Sequence, residues 1–185
     1  YSKELLFDNP WGDFFQFYPL VCLDLPSIWA RINSRTYHQF DHTIDTSGYP
    51  KYYLQNFHHQ TDGYLSELSA NLYDLQVEIL FNGTADPMRR RILAPLKAGL
   101  AAMASGQKGK VLDIACGTGR TLSMIRDMLP KASLYGVDLS PNYLRKANEL
   151  LSDQPGVLPQ LVRANAEELP FVDNYFEASV SVFLF

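Results

Sequence analysis

Two cysteines in 185 residues, Cys22 and Cys116, are too few and too far apart for a disulfide framework, and with the four histidines they form no metal-ligand spacing. Free thiols, a reducing compartment and hence a cytoplasmic location are expected, with no bound metal. Basic runs are also scarce: none is longer than Arg89-Arg90-Arg91, and the net charge is −4. That balance leaves no footprint for nucleic acid or for an acidic membrane. Long apolar runs are missing too. The stretch from Phe14 to Leu25 is broken by Gln16, Pro19 and Asp24 and falls well short of the roughly 20 residues of a spanning helix. No charged start with an apolar core and a small-residue cleavage pattern is visible, although a chain starting at Tyr1 leaves organelle targeting open. What remains, 46% apolar and 19% charged, suits one ordinary globular domain plus an appendage.

The informative stretch is Lys110-Val-Leu-Asp-Ile-Ala-Cys-Gly-Thr-Gly-Arg120. A short apolar run carrying one acid, Asp113, stops at a turn containing Gly117 and Gly119. A buried parallel strand ending this way lets backbone approach a ligand, and the helix that follows presents free N–H groups to it. The dinucleotide fingerprint G-x-G-x-x-G/A fits poorly, because it puts Leu122 or, in the shifted frame, Arg120 where close packing needs Gly or Ala. Ser133 to Asp138 is a second short strand ending in an acid, at the spacing of one βαβ unit. A carboxylate there can accept hydrogen bonds from both ribose hydroxyls of a nucleoside.

With Val162-Arg-Ala-Asn-Ala-Glu-Glu-Leu-Pro-Phe171 and Asp173-Asn-Tyr-Phe-Glu177, these segments resemble class I S-adenosylmethionine-dependent methyltransferases of the ubiquinone/menaquinone-biosynthesis type. The resemblance covers Lys110 to Phe185, with Ala115 standing in for the first glycine of the family's turn. It implies a Rossmann-like α/β sheet, its first four strands present in a family order of 3-2-1-4-5-7-6, and a C-terminally truncated domain. It implies S-adenosyl-L-methionine as cofactor, held by Asp113 at the methionine end, by Ala115, Gly117 and Gly119 in the turn, by Asp138 and Leu139 at the ribose, and by Asn165 and Ala166 at the adenine. No catalytic side chain is assigned. Strand four lacks the Asn/Asp-Pro-Pro-Tyr signature of nucleic-acid amine methylation, since Ser181-Val-Phe183 stands there, so a small or lipophilic acceptor is expected. A non-catalytic binder of the cofactor or its demethylated product is the first alternative, and an NAD-dependent oxidoreductase a weaker one.

Ahead of this half, residues 1–105 are read as a helical, aromatic extension serving as a lid, and 106–185 as the cofactor domain. Asn9 to Gly12 reads as a turn and Pro26 to Ile32 as a short helix with Pro first. Tyr49, Tyr52, Tyr53, Phe57, His58, His59, Gln60 and Tyr64 form a cluster suited to packing the extension, or to lining an acceptor pocket. Leu68, Leu72, Leu75 and Ile79 predict a helix over 69–81 stopped by Asn82-Gly83. Asp86 and Pro87 read as cap and first residue of the next helix, whose stripe is Met88, Ile92, Leu96, Leu100 and Met103, with a split near Ala94 caused by Pro95 and a solvated Arg89–Arg91 face. Then follow strand 110–115, helix 119–129, strand 133–138, helix 141–152 capped by Ser140, strand 158–163 and strand 177–185. An exposed apolar fourth strand would invite self-association.

Overall fold

Strands that alternate with amphipathic helices must form a parallel sheet with crossover helices, and from Lys110 onward the chain does so. A computed structural model describes residues 11–103 and 108–184. The chain divides into two compact units, Tyr1–Gly83 and Thr84–Phe185.

The second unit contains α3 (Ala85–Arg90), α4 (Leu93–Ala101), β1 (Lys110–Ile114), α5 (Arg120–Met128), β2 (Ser133–Asp138), α6 (Pro141–Ser152), β3 (Gln160–Arg163) and β4 (Ala178–Val180). The strands are all parallel, in the order β3-β2-β1-β4, as expected from the sequence. Because side chains alternate along a strand, Val111 and Leu112 enter different cores. Val111 joins Leu100, Leu122, Ile125, Leu129 and Leu151, all at most 1% exposed, between the sheet and α4, α5 and α6. Each such residue stabilises the fold by about 1.5–3 kcal/mol relative to leaving it in water. Leu112, Tyr135 and Val137 face a second cluster with Phe171, Tyr175 and Phe176.

Several expectations need correcting here. The break between α3 and α4 falls at Arg91 and Ile92, and Pro95 sits in the first turn of α4, where its missing N–H removes no helical bond. Asp86 is not a cap: α3 starts at Ala85, and the Asp86 carboxylate pairs with Arg89 instead. Arg89 is therefore buried at 4% exposure and not on a solvated face, while Met88 and Met103 of the expected stripe are exposed. The fourth strand is only three residues long. Phe183 takes a positive φ of 63°, which no strand accommodates, and Ser181 donates its hydroxyl to the Ile114 carbonyl. Phe185 lies outside the described residues.

The first unit pairs α1 (Trp11–Ser34) with α2 (Glu67–Leu80). One helix of 24 residues replaces the expected turn and short helix, and Pro19 and Pro26 lie inside it. Asn9 and Pro10 of that turn are outside the described residues. The helix is held laterally: Val21 is buried, and Arg31 bonds the His59 carbonyl at 2.6 Å and the Thr61 hydroxyl at 2.7 Å. In α2, Ser66 caps the Ser69 N–H at 3.0 Å, and Ser69, Ala70, Leu72 and Val77 are buried while Leu68 and Ile79 of the expected stripe are exposed. The aromatic cluster packs on itself, with ring centroids 5.5 Å apart for Tyr49 and Tyr53 and 4.5 Å for the parallel Phe57 and Tyr64.

Candidate functional site

The carboxyl ends of β1, β2 and β3 carry the residues that the sequence singles out. β1 runs into a turn in which Ala115, Gly117 and Gly119 have φ of 60°, 54° and 81°. Alternating left-handed residues turn successive N–H groups toward one concavity, an arrangement suited to a polar ligand group. The turn is pinned from three sides. Cys116 N–H donates to the Val137 carbonyl at 2.9 Å, Gly119 N–H to the Cys116 carbonyl at 2.9 Å, and Gly117 N–H to the Asp138 carboxylate at 2.9 Å.

The two glycines serve different ends. A Cβ on Gly117 would meet nothing nearer than Tyr143 Cδ1 at 3.9 Å, so the space beside it is open to a ligand. A Cβ on Gly119 would lie 3.0 Å from Ala147 Cβ and 3.2 Å from Ala147 Cα, so the bare backbone here is what lets α6 pack against the turn. Gly119→Ala combines a left-handed backbone cost with overpacking against a helix backbone. It is expected to destabilise the protein by about 3 kcal/mol in urea unfolding, whereas Gly117→Ala costs about 1 kcal/mol. Equal losses for the two variants would remove this distinction.

Asp138, 9% exposed, stands at the end of β2. One carboxylate oxygen accepts from Gly117 N–H and the other from Ser140 N–H, each at 2.9 Å, so the acid joins the turn to the start of α6. Burial pushes its pKa up, opposed by the backbone donors of Ser140, Gly117 and Leu139. With about four lone-pair sites, the carboxylate still has room for a further donor beyond these three. Asp113 is 1% exposed, and its Oδ2 has no hydrogen-bond partner among the described residues. Burial first, and the charge of Asp138 second, push its pKa up to about 8. A carboxyl buried in this way is an orphaned polar group beside the turn, the kind of group that a cationic or donor-bearing ligand satisfies.

Leu139 gives its carbonyl to Arg163 Nε at 3.2 Å. Past β3, Asn165 Oδ1 accepts from Glu167 N–H at 3.1 Å in an Asx turn, and Ala166 is exposed. Cys116 is buried in the turn with its thiol pushed well above its ordinary pKa by burial, and is inert as a nucleophile.

Sequence reasoning missed an ion cluster at this end. Arg120, the first residue of α5, grips Asp86 through Nε at 3.2 Å and a terminal nitrogen at 2.7 Å, and Arg89 adds a bond of 2.8 Å to the same carboxylate. Burial raises the Asp86 pKa, but the two guanidiniums outweigh it and hold the carboxyl below its usual range. The Asp86–Arg89 half was readable as an i,i+3 pair. The Arg120 half, 34 residues away, carries no local signal.

Comparison with known proteins now bears on this geometry. Residues 111–185 match the methyltransferase-domain family. Ubiquinone/menaquinone biosynthesis C-methyltransferase UbiE of Desulfotalea psychrophila is 37% identical over 109 residues, 59% of this chain and 40% of that protein. The enzyme of the same name from Burkholderia mallei is 40% identical over 76 residues, 40% of this chain and 31% of its own length. Among solved structures, DesVI of Streptomyces venezuelae aligns with a TM-score of 0.46 at 24% identity over 62% of this chain and 42% of that one. The chain thus spans two fifths or less of the length of these curated relatives. With strand order, turn and strand-end acids in agreement, the segment from Val111 to Phe185 is similar to the class I S-adenosylmethionine-dependent methyltransferases of the ubiquinone/menaquinone-biosynthesis type.

Proposed function

We propose that the chain binds S-adenosyl-L-methionine at the turn 115–119 and supports methyl transfer to a small or lipophilic acceptor. The observation that carries this reading is the pairing of an open glycine at Gly117 with the unpartnered, fully buried Asp113 Oδ2 in one strand-to-helix turn. The cofactor, when bound, supplies a methyl group already activated by its sulfonium. What the chain contributes is position and dryness. Asp113 meets the methionine end, Gly117 lets the main chain close on the ligand, and Asp138 offers its remaining lone pairs to the ribose hydroxyls. Leu139 borders the ribose, while the Asn165 carbonyl and the Ala166 N–H read the adenine edge. Ala115 and Gly119 hold the turn. Acceptor choice we place in residues 1–105, and no side chain of this chain is given the role of base.

An NAD-dependent reading loses ground because Leu122, at the position of the third fingerprint glycine, is wholly buried in the core beneath the sheet. The test is titration calorimetry with S-adenosylhomocysteine, run beside NAD. Saturable heat with the first and none with the second is the expected result. Gly117→Val should weaken S-adenosylhomocysteine about tenfold or more, equal to about 1.4 kcal/mol or more. Absence of binding by the native chain, or equal binding of NAD, would overturn the proposal. Turnover with a methyl-labelled donor then separates an enzyme from a silent binder.

A further inference from the structure

The acids at the carboxyl ends of β1 and β2 are treated unequally by the turn between them. Asp138 takes the backbone donors, since the N–H groups of Gly117 and Ser140 both end on its carboxylate at 2.9 Å. Asp113, 1% exposed, keeps an Oδ2 that no donor reaches among the described residues. Where neighbouring buried carboxyls compete, the one that holds the donors carries the charge and the other keeps its proton. Asp138 is then the anion and Asp113 the neutral acid.

The other ionisable groups near Asp113 bring it no counter-charge. Alternation along β1 puts Asp113 on the side of Val111, toward α4, α5 and α6. In the turn, the Cys116 thiol is held protonated by burial first and then by the charges of both acids. On α5, Arg120 is spent on Asp86 and Arg126 on the Leu151 carbonyl and Gln154, while Asp127 is exposed. On α6, Tyr143 brings a phenol, Arg145 engages Asn142, and Lys146 engages Glu149. Lys97 of α4 is exposed, and β4 has no titratable side chain.

We propose that the site takes up its ligand with release of a proton, Asp113 standing neutral in the free protein and becoming a carboxylate against the ligand's ammonium. The inference rests on the methyl-transfer reading for the identity of that ligand. The balance closes: the Asp113 O–H bond breaks, the proton goes to solvent, and the carboxylate accepts N–H bonds from the ammonium. An ion pair of zero net charge then replaces a neutral acid in the interior, beside an Asp138 that stays charged throughout. Two consequences follow for recognition. Affinity rises with pH, and the site favours a nucleoside carrying an amino-acid end over one that ends in a plain thioether. Burial and the Asp138 charge push the Asp113 pKa up to about 8, so affinity should climb about tenfold per pH unit between pH ~6 and ~8 and level off above.

Titration calorimetry of the full chain with S-adenosylhomocysteine, run in phosphate and in Tris, counts the protons, because released protons add the ionisation heat of the buffer. About one proton should be released at pH ~6.5 and almost none at pH ~9. The control ligand is 5′-methylthioadenosine, which keeps the adenine, ribose and sulfur but has no ammonium. It should bind without releasing a proton and with an affinity that does not change with pH. This ligand separates Asp113 from Asp138, whose proposed ribose contact both ligands share. Asp113→Asn, its fold checked by circular dichroism, should bind S-adenosylhomocysteine without proton release. Binding of S-adenosylhomocysteine with no proton released, equal release with 5′-methylthioadenosine, or release that persists in Asp113→Asn would each overturn the proton-linked contact and leave the cofactor reading standing. No binding of S-adenosylhomocysteine in any buffer would overturn both.

Discussion

At pH 9 the Asp113→Asn variant should resist urea better than the native protein by about 5 kcal/mol, the largest stability change expected here. The cause is a carboxyl fully enclosed beside a second acid, with its pKa pushed from 3.8 up to about 8. A carboxyl whose folded pKa lies above its unfolded value favours the native state while it keeps its proton. That advantage is whole below pH ~4, drains away as pH rises toward ~8, and is gone beyond. Stability of the native chain should therefore fall across this interval, and the profile of Asp113→Asn should be flatter. If S-adenosylhomocysteine satisfies the charged carboxylate, its addition should restore much of the native protein's alkaline loss and little in the variant. Identical pH profiles for the two proteins would show that Asp113 titrates in its ordinary range.

Asp138→Asn should produce the largest change in ligand affinity, about a hundredfold weaker binding of S-adenosylhomocysteine, equal to about 3 kcal/mol. Part of the effect is structural. An amide cannot accept on both sides, so either Gly117 N–H or Ser140 N–H loses its acceptor in a buried place, at a cost of about 1–3 kcal/mol. The remainder is the proposed ribose contact, which a second ligand isolates. Native protein should prefer S-adenosylhomocysteine to its 2′-deoxy counterpart, and Asp138→Asn should lose that preference. Equal loss for both ligands would mean that the acid acts only by holding the turn to α6.

Much of the sheet unit was legible because its signals are local. The acid-bearing apolar run, the left-handed turn and Ser140-Pro141 ahead of α6 each declare an element within a few residues, and the Ser140 hydroxyl does accept from Tyr143 N–H at 3.4 Å. The course of α1 was not legible, since Pro19 and Pro26 read as breakers. Lateral anchoring through Val21 and Arg31 carries the helix across both, and no sequence pattern announces that support. The buried face of α2 was misread because its four leucine and isoleucine positions make a cleaner stripe than Ser69, Ala70, Leu72 and Val77. Asp86 looked like a cap because Asp before Pro usually is one, and a distant guanidinium claimed it first. The role of Gly119 depends on how closely Ala147 approaches, which is a property of the assembled helices.

The clasp of Arg120 and Arg89 on Asp86 bears on how such chains could diversify. It makes α3 part of the scaffold beneath the turn, while Asn82 and Gly83, both exposed and left-handed, lie just upstream at the boundary between the two compact units. Recombination at that boundary would exchange whole leading segments without disturbing a single contact of the clasp.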